Sequence, residues 1–435
     1  MQDFKDLFLK TCEKPVLDVV KTFLHEGFIV SLVGGGVREL LLEKRLPTDL
    51  DFELRSVDKI TDHLWIDKIK RFAKKLKEDS YQVECLPYNI IRIVMRSSIL
   101  EFAPARIELF HEQDNCSGHK DFVTSFVSDV PYTQSVLRRD FSINAIYLEI
   151  ISDKNDYLDV KLIDPLNGLV DLQNKNLRAC GKNFYKDPVR FVRMIRFMIQ
   201  YDFSLDDDLL ETIALFNLEK LSKYYFIKES FKVPFFKFVK LFFKMVNEYN
   251  IFISEDFKEI AFLKEVSNFD KIRMNPVEIL AFLVFNDVLV EKSDIESFVS
   301  FFSVKKNIYM AMINYRTSFD RYLQIDFDKV SILIQSSLFE EVIYFKEMDI
   351  IKRLISSRKK MQLYVKDCCW MWMMPDEGKM SYKIYQELTC IDLEGFDNDL
   401  VEKRPIARKD YWRVSIYLML QRVLANHCHG KKLPE

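Results

Sequence analysis

The chain has 435 residues, 49% of them hydrophobic, enough to bury more than one core. Its 37 phenylalanines stand against only 10 glycines and 12 prolines, which argues against a many-turned β architecture and for helices. A formal net charge of −2 excludes general basicity as a means of holding nucleic acid, so any such contact must be a local patch. Eight cysteines without a C-x-x-C pair, and a polar opening at Met1-Gln2-Asp3-Phe4-Lys5-Asp6, predict reduced thiols and a cytoplasmic protein.

In chain order, Glu13 to Glu26 reads as an amphipathic helix, followed by the apolar run Phe28-Ile29-Val30-Ser31-Leu32-Val33, a buried strand. Gly34-Gly35-Gly36 then reads as a turn with no Cβ to hold a ligand away from the backbone. Helical character from Val37 to Lys44 directs free N–H groups at that turn and favours phosphate, with Gly34, Gly35 and Arg38 as its cradle. A dinucleotide fingerprint does not fit, because Glu39 holds the third-glycine place, and no Gly-Lys-Ser/Thr follows as a P-loop requires. The next strand, Asp49-Leu50-Asp51-Phe52-Glu53-Leu54, places Asp49 and Asp51 on one face. Two carboxylates so placed are costly without a cation, and Mg²⁺ prefers such oxygen ligands.

Val57 to Ser80 reads as a charged helix, with strand-like runs after it at Gln82–Cys85, Asn89–Met95 and Ile99–Phe102. His111 to Gln134 carries little pattern and is expected to be a mobile loop. Within Arg138-Arg139-Asp140-Phe141-Ser142-Ile143-Asn144-Ala145, the paired guanidiniums suit a triphosphate, and Asp140 is placed to accept from a ribose hydroxyl. Asp187 and Arg190 are three apart on an expected helix and offer an acceptor and a donor fork to a base edge. Arg193 and Arg196 continue that face towards phosphates. Beyond Val233 the chain repeats Phe/Leu/Ile-rich helical stretches without a repeat unit. Lys237, Lys240 and Lys244 break the run from Phe235 to Val246, so it is no membrane span, and they form the solvated face of a helix. Cys368-Cys369-Trp370-Met371-Trp372-Met373-Met374 reads as core, and His427-Cys428-His429 as a frayed tail. Arg404, Arg408, Lys409, Arg413 and Arg422 give the C-terminus a basic bias that suits either an RNA backbone or an ordinary charged helix surface.

Taken together these blocks resemble the class II tRNA nucleotidyltransferase and poly(A) polymerase family, from about Leu32 to Lys232. The carriers are the G-G-G-V-R turn and helix, the D-x-D strand, R-R-D-F-S-I-N-A, the connector Asp164-Pro165-Leu166-Asn167-Gly168-Leu169-Val170-Asp171-Leu172, and Asp187-Pro188-Val189-Arg190. The resemblance implies an α+β fold: a polymerase-β-like head with a small mixed sheet over residues 1–152, a helical neck over 153–232, and a helical body and tail over 233–435. It implies Asp49 and Asp51 as catalytic ligands of two Mg²⁺, with Glu101 as a third carboxylate. Arg139, Asp140 and Asn144 would serve the nucleotide, and Asp187 with Arg190 would read the base. The connector is expected to be structural.

Three departures from the family pattern stand out. Gln134-Ser135-Val136 replaces Glu-Asp-Leu, Lys186 replaces a Glu that would orient Arg190, and Tyr224-Tyr225 replaces a Glu-Arg pair ahead of Glu229 and Lys232. Lys186 is expected to point away from the site, because facing Arg190 on one helix would set two cations together. The implied reaction is addition of CCA to the 3′ end of tRNA from CTP and ATP. A poly(A) polymerase, a CC- or A-restricted enzyme, and a silent RNA-binding relative remain open. No membrane contact is implied, and no residue pattern points to an oligomeric state.

Overall fold

The computed structural model describes residues 2–110, 118–119, 121–152, 157–266, 274–285, 291–327, 329–330 and 346–362, with positions 385, 413, 416, 417, 419, 420 and 423. Two compact units divide the chain, one running to Lys258 and the other made essentially of the chain from Glu259 onward.

In the first unit, α1 (Gln2–Thr11) and α2 (Lys14–His25) precede β1 (Phe28–Val33), α3 (Gly35–Glu43) and β2 (Asp49–Ser56). Next come α4 (Asp62–Glu78), β3 (Val83–Leu86), β4 (Ile90–Val94) and β5 (Ile99–Pro104), then the hairpin β6 (Arg106–Phe110) and β7 (Phe122–Phe126). After α5 (Tyr132–Ser135) come β8 (Tyr147–Ser152) and β9 (Leu158–Ile163). Seven of these strands form one sheet, in the order β3-β4-β5-β2-β1-β8-β9. The β2–β5 pair is parallel and the others antiparallel, so the sheet is mixed. Through β9 it reaches past the expected head boundary at 152. The expected loop from 111 to 134 is also more ordered than its composition suggests, because it contains β7 and the start of α5; residues 111–117 and 120 lie outside the described residues.

Alternation along β2 decides what the sheet does. Leu50, Phe52 and Leu54 enter a core with Val16, Val20 and Phe23 of α2 and Ile69 and Phe72 of α4. Phe102 of β5 lies between Phe23 and Phe52, with ring centroids 3.9 Å and 4.7 Å away. Burying each such ring contributes about 1.5–3 kcal/mol. The other face of β2 carries Asp49, Asp51, Glu53 and Arg55.

The chain then runs through α6 (Gly168–Gln173), β10 (Asn176–Leu177), α7 (Pro188–Tyr201), β11 (Ser204–Leu205), α8 (Asp207–Thr212) and β12 (Asn217–Leu218). It continues with α9 (Lys223–Ser230), α10 (Phe235–Glu248), β13 (Phe252–Ile253) and α11 (Glu255–Lys258). The short strands pair in parallel as β10–β11 and β12–β13, small additions to a helical neck. Phe242 of α10 meets Phe191 of α7 at 5.8 Å and Phe226 of α9 at 5.1 Å, so α10 packs with the neck although its residues fall beyond 232. Lys237 and Lys244 are exposed on its outer face.

The connector acts as a rivet between the sheet and the neck. Asp164 accepts from the N–H groups of Gly168 and Leu169 at the start of α6. Asp171 accepts from Ser142 Oγ at 2.5 Å and Arg178 Nη2 at 2.7 Å. Gly168 lies so close to Ser142 that a Cβ there would meet its carbonyl oxygen at 2.3 Å.

The second unit contains α12 (Pro276–Phe285), α13 (Lys292–Phe301), α14 (Lys306–Leu323) and α15 (Lys346–Gln362). Its core includes Phe298, Met312, Tyr315, Phe319, Ile351 and Leu354. The hydroxyls of Tyr315 and Tyr385 lie 2.6 Å apart inside it. Arg413 pairs with Asp349 at 3.1 Å. The Cys368–Met374 stretch, the His427-Cys428-His429 triplet, and Arg404, Arg408, Lys409 and Arg422 lie outside the described residues. No described helix is long and apolar enough to cross a membrane.

Candidate active site

Gly34 is the turn residue: its φ is +74°, and α3 begins at Gly35, two residues earlier than three turn glycines would allow. A Cβ on Gly34 would lie 3.7 Å from Asp51 Oδ2 and 3.8 Å from Arg139 Nη1. The absent side chain therefore keeps backbone, carboxylate and guanidinium together around one open point. Gly36 has a different task, since its Cβ position is 3.0 Å from Leu32 and lets α3 pack on β1.

Asp49 and Asp51 sit on one face of β2 and reach solvent, and parallel register sets Glu101 of β5 directly beside Asp51. Asp51 keeps a solvent-facing edge, yet protein crowds its other sides. Burial, then the neighbouring Glu101 charge, push its carboxyl up to about 6 despite the opposing Arg139 and Arg193. Glu101 itself is gripped by Arg92, whose Nε and Nη2 donate to one of its oxygens at 2.9 Å and 2.6 Å. The expected third carboxylate is thus at the site, but partly neutralised from the side.

Behind these carboxylates lies a further, buried one that the sequence reading passed over. Glu53 Oε2 accepts from Arg138 Nη2 at 2.7 Å, Arg139 Nη2 at 3.2 Å and Tyr147 Oη at 3.4 Å. Its Oε1 accepts from Arg55 Nη2 at 2.6 Å and Ser135 Oγ at 2.9 Å. Burial alone would raise this group, but the three guanidiniums and the hydroxyl bring it down to about 2. Ser135, one of the departures from the family pattern, thereby has a place in the scaffold. The available signal was the alternation itself, since Asp49, Asp51 and Glu53 share one face.

Asp140 proves fully occupied. Its Oδ1 accepts from Phe141 N–H at 2.8 Å and Asn144 Nδ2 at 2.9 Å, and its Oδ2 from Arg193 Nε at 2.7 Å and Nη2 at 2.6 Å. Burial works against the charged form, but Arg193 and these hydrogen bonds hold the carboxyl well below the usual carboxylate range. No lone pair is left over for the ribose hydroxyl expected from the sequence. Asn144 passes the network on, because its Oδ1 accepts from Arg38 Nη1. Arg38 is buried, with its guanidinium 4.9 Å from the Phe197 ring and 5.3 Å from the Tyr201 ring of α7. It bridges the glycine turn to the neck instead of standing open to a triphosphate. Arg193 is likewise committed to Asp140. Arg196 is committed to Glu229 at 2.5 Å and Gln200 at 2.8 Å, while Lys232 Nζ donates to Glu229 at 2.7 Å.

At the start of α7, Asp187 is the N-cap and accepts from Val189 N–H at 2.9 Å. Arg190 Nε lies 3.6 Å from Asp187 Oδ2, and its Nη2 donates to the Arg138 carbonyl at 2.7 Å. A backbone carbonyl thus orients Arg190, where the family pattern has a glutamate. Lys186 ends a separate 3₁₀ turn, Phe184–Lys186, before the helix begins. It therefore shares no helix face with Arg190, and a 3₁₀ turn stands where the sequence suggested one helix common to both residues. Tyr225 of α9, a second departure, packs against His119.

This arrangement of turn, aspartate pair and arginine block coincides with a match to the Poly A polymerase head domain over residues 30–178. The match spans about a third of the chain. The CCA-adding enzyme of Enterococcus faecalis is 28% identical over 214 residues, covering 48% of this chain and 46% of the relative. That of Listeria innocua is 30% identical over 206 residues, covering 47% and 44%. The chain thus spans about half the length of the curated relatives it matches. Among solved structures, the Thermotoga maritima CCA-adding enzyme complexed with tRNA shares the fold at a TM-score of 0.54 and 15% identity, covering 99% of this chain and 95% of that one. A CCA-adding enzyme in apo form II gives 0.53 and 14%, with 98% of each chain covered. The fold these likenesses share is a mixed-sheet head followed by helical domains.

Proposed function

We propose that this chain is a template-independent RNA nucleotidyltransferase that adds CMP and AMP, from CTP and ATP, to the 3′ end of tRNA. The observation that carries the reading is the convergence of Gly34, Asp51 and Arg139 around one open point on a head of the matching family. The named relatives and the solved neighbour with tRNA support the choice of substrates.

The donor set suits Mg²⁺. Asp49 and Asp51 supply hard oxygens on one open face, and the pKa of Asp51, raised first by burial and then by the Glu101 charge, marks a carboxylate whose charged form a bound cation would favour. Among the described residues no group of three or more ligating side chains closes on one point. The pair would leave the remaining positions to substrate phosphates and water, as Mg²⁺ prefers. Two Mg²⁺ held by Asp49 and Asp51 would supply a lowered pKa for an attacking 3′-hydroxyl and charge compensation for the departing pyrophosphate.

The chain's own residues position the substrate. Gly34 and Gly35 let phosphate approach the first N–H groups of α3. Arg139, held from behind by Glu53, faces that turn and is the guanidinium we assign to the triphosphate. Asp140 and Asn144 hold Arg193 and Arg38 in place, and Asp187 with Arg190 offers the base an acceptor and a donor. The helical residues after 233 take the RNA, and a cytoplasmic setting goes with this activity.

Extension of a tRNA ending at its discriminator base, with CTP alone, ATP alone and both, tests the proposal. Two additions with CTP and three with the mixture are expected with this substrate, and Asp51→Ala should lower the rate by about 10³-fold or more. Runs of A from ATP alone would make the chain a poly(A) polymerase. Undiminished turnover in Asp51→Ala would remove the catalytic assignment.

A further inference from the structure

One hydrogen bond joins the β6–β7 arm to the neck at the very carboxylate assigned to the base. His119 Nδ1 lies 2.9 Å from Asp187 Oδ2, and its ring meets the Tyr225 ring at 4.5 Å and 64°. The end of the arm is fixed near it by Asp121, which accepts from Gly118 N–H at 2.8 Å and pairs with Lys220 at 3.3 Å. Because the carboxylate of Asp187 can only accept, Nδ1 is the protonated nitrogen of this pair.

We propose that His119 is a positioning residue for base selection, holding Asp187 so that its remaining lone pair meets the exocyclic amine shared by cytosine and adenine. This rests on the reading of Asp187 given above. Oδ1 is anchored by the helix cap. Oδ2 has Arg190 Nε only at 3.6 Å, too far for a firm hydrogen bond, so the donor that sets its direction is His119. With both oxygens anchored, the carboxylate cannot rotate freely about its terminal bond. An amine at the base edge then finds a fixed acceptor, whereas the carbonyl of uracil or guanine would face oxygen with oxygen. The histidine side chain is 37% exposed against 9% for Asp187, so the positioning group approaches from the solvent side of a buried acceptor.

The test uses the full chain with Mg²⁺ and titration calorimetry of CTP and UTP, a readout that needs no turnover. His119→Phe keeps a ring against Tyr225 and removes the donor, while His119→Asn returns an N–H near the same place. The ratio of UTP to CTP dissociation constants should fall about tenfold in His119→Phe, mostly through weaker CTP binding, and largely recover in His119→Asn. An unchanged ratio in His119→Phe overturns the proposal. So does equal tightening of both nucleotides, which would make His119 a mere occupant of the nucleotide's place. Asp187→Ala separates the two levels: selection lost there but kept in His119→Phe refutes the histidine alone. Selection kept in both refutes the reading of Asp187 and the role of His119 with it. Absence of tRNA extension in the wild-type chain would count against the proposed reaction alone, because the binding ratio is read without turnover.

Discussion

Three guanidiniums lean on Glu53, which makes the removal of its charge costly. Glu53→Gln keeps the volume but leaves Arg55, Arg138 and Arg139 partly uncompensated in a buried place. Breaking such a cluster should cost about 3–5 kcal/mol, read as a lower urea midpoint. A freed Arg139 should also weaken nucleotide binding, so the variant's KM for CTP rises even where the fold survives at low temperature. Asp140 makes a different prediction, about pH. Its folded carboxyl binds a proton less readily than in the unfolded chain. The stability it contributes is therefore complete at neutral pH and is lost as pH falls below about 4 towards the depressed folded value. Urea midpoints measured from pH 7 down to 3.5 should fall more steeply for the wild type than for Asp140→Asn, which starts lower and has no such charge to lose.

Among the elements, β2 and α7 meet through the Arg-Arg-Asp block. The strand contributes its polar face, and α7 contributes Arg193, Phe197 and Tyr201, each touching a residue of that block or of α3. The connector maintains this meeting, and Gly168 is its tightest point. Gly168→Ala would drive a methyl group into the Ser142 backbone, which cannot step aside as a flexible side chain can. A loss of about 1–3 kcal/mol is expected, seen as a drop of several degrees in Tm. Because Ser142 is two residues from Asp140, CTP affinity should fall as well. A Tm equal to wild type would show that the α6 turn gives way and that the connector is not a rivet.

For the molecule as a whole, a net charge of −2 means that RNA must find its cations locally. The second unit has a polar groove of about 550 Å³ between α14 and α15, lined in part by Arg321, Arg353 and Lys360 with Ser318, Thr317 and Ser357. Under the proposed function this groove should hold phosphates. Arg321→Glu combined with Lys360→Glu should weaken tRNA binding and make the salt dependence shallower by about 0.7–0.9 log units for each phosphate no longer neutralised. CTP binding, which the proposed function assigns to the first unit, should be unaffected. Filter binding at 50 to 200 mM salt reads both quantities, and an unchanged slope would place the RNA-binding surface elsewhere.

What the residues alone determined were the local periods and the chemistry attached to them. Period-two alternation made β2 legible with its acidic face, the glycine turn and the neck motif could be placed because their spacing has a backbone meaning, and the Arg-Arg-Asp block was marked by its resemblance to a family motif. Helices with a charged stripe, such as α10, were legible for the same reason. What only the tertiary structure decided was which polar groups were already taken. Glu101 stands beside Asp51 because β5 crosses to lie parallel to β2, a pairing between residues fifty positions apart that no local pattern encodes. Glu53 draws its partners from β2 itself, α5, the arginine block and β8, and Asp140 spends its lone pairs on Arg193 from α7, so the expected ribose acceptor became a scaffold residue. His119 lay in a stretch without pattern and acquired meaning only when the hairpin brought it to Asp187. Local sequence sets backbone propensity and the kind of group displayed. A hydrogen bond between distant elements depends on how their cores pack, and that is settled by the apolar faces, far from the polar residues whose partners it selects.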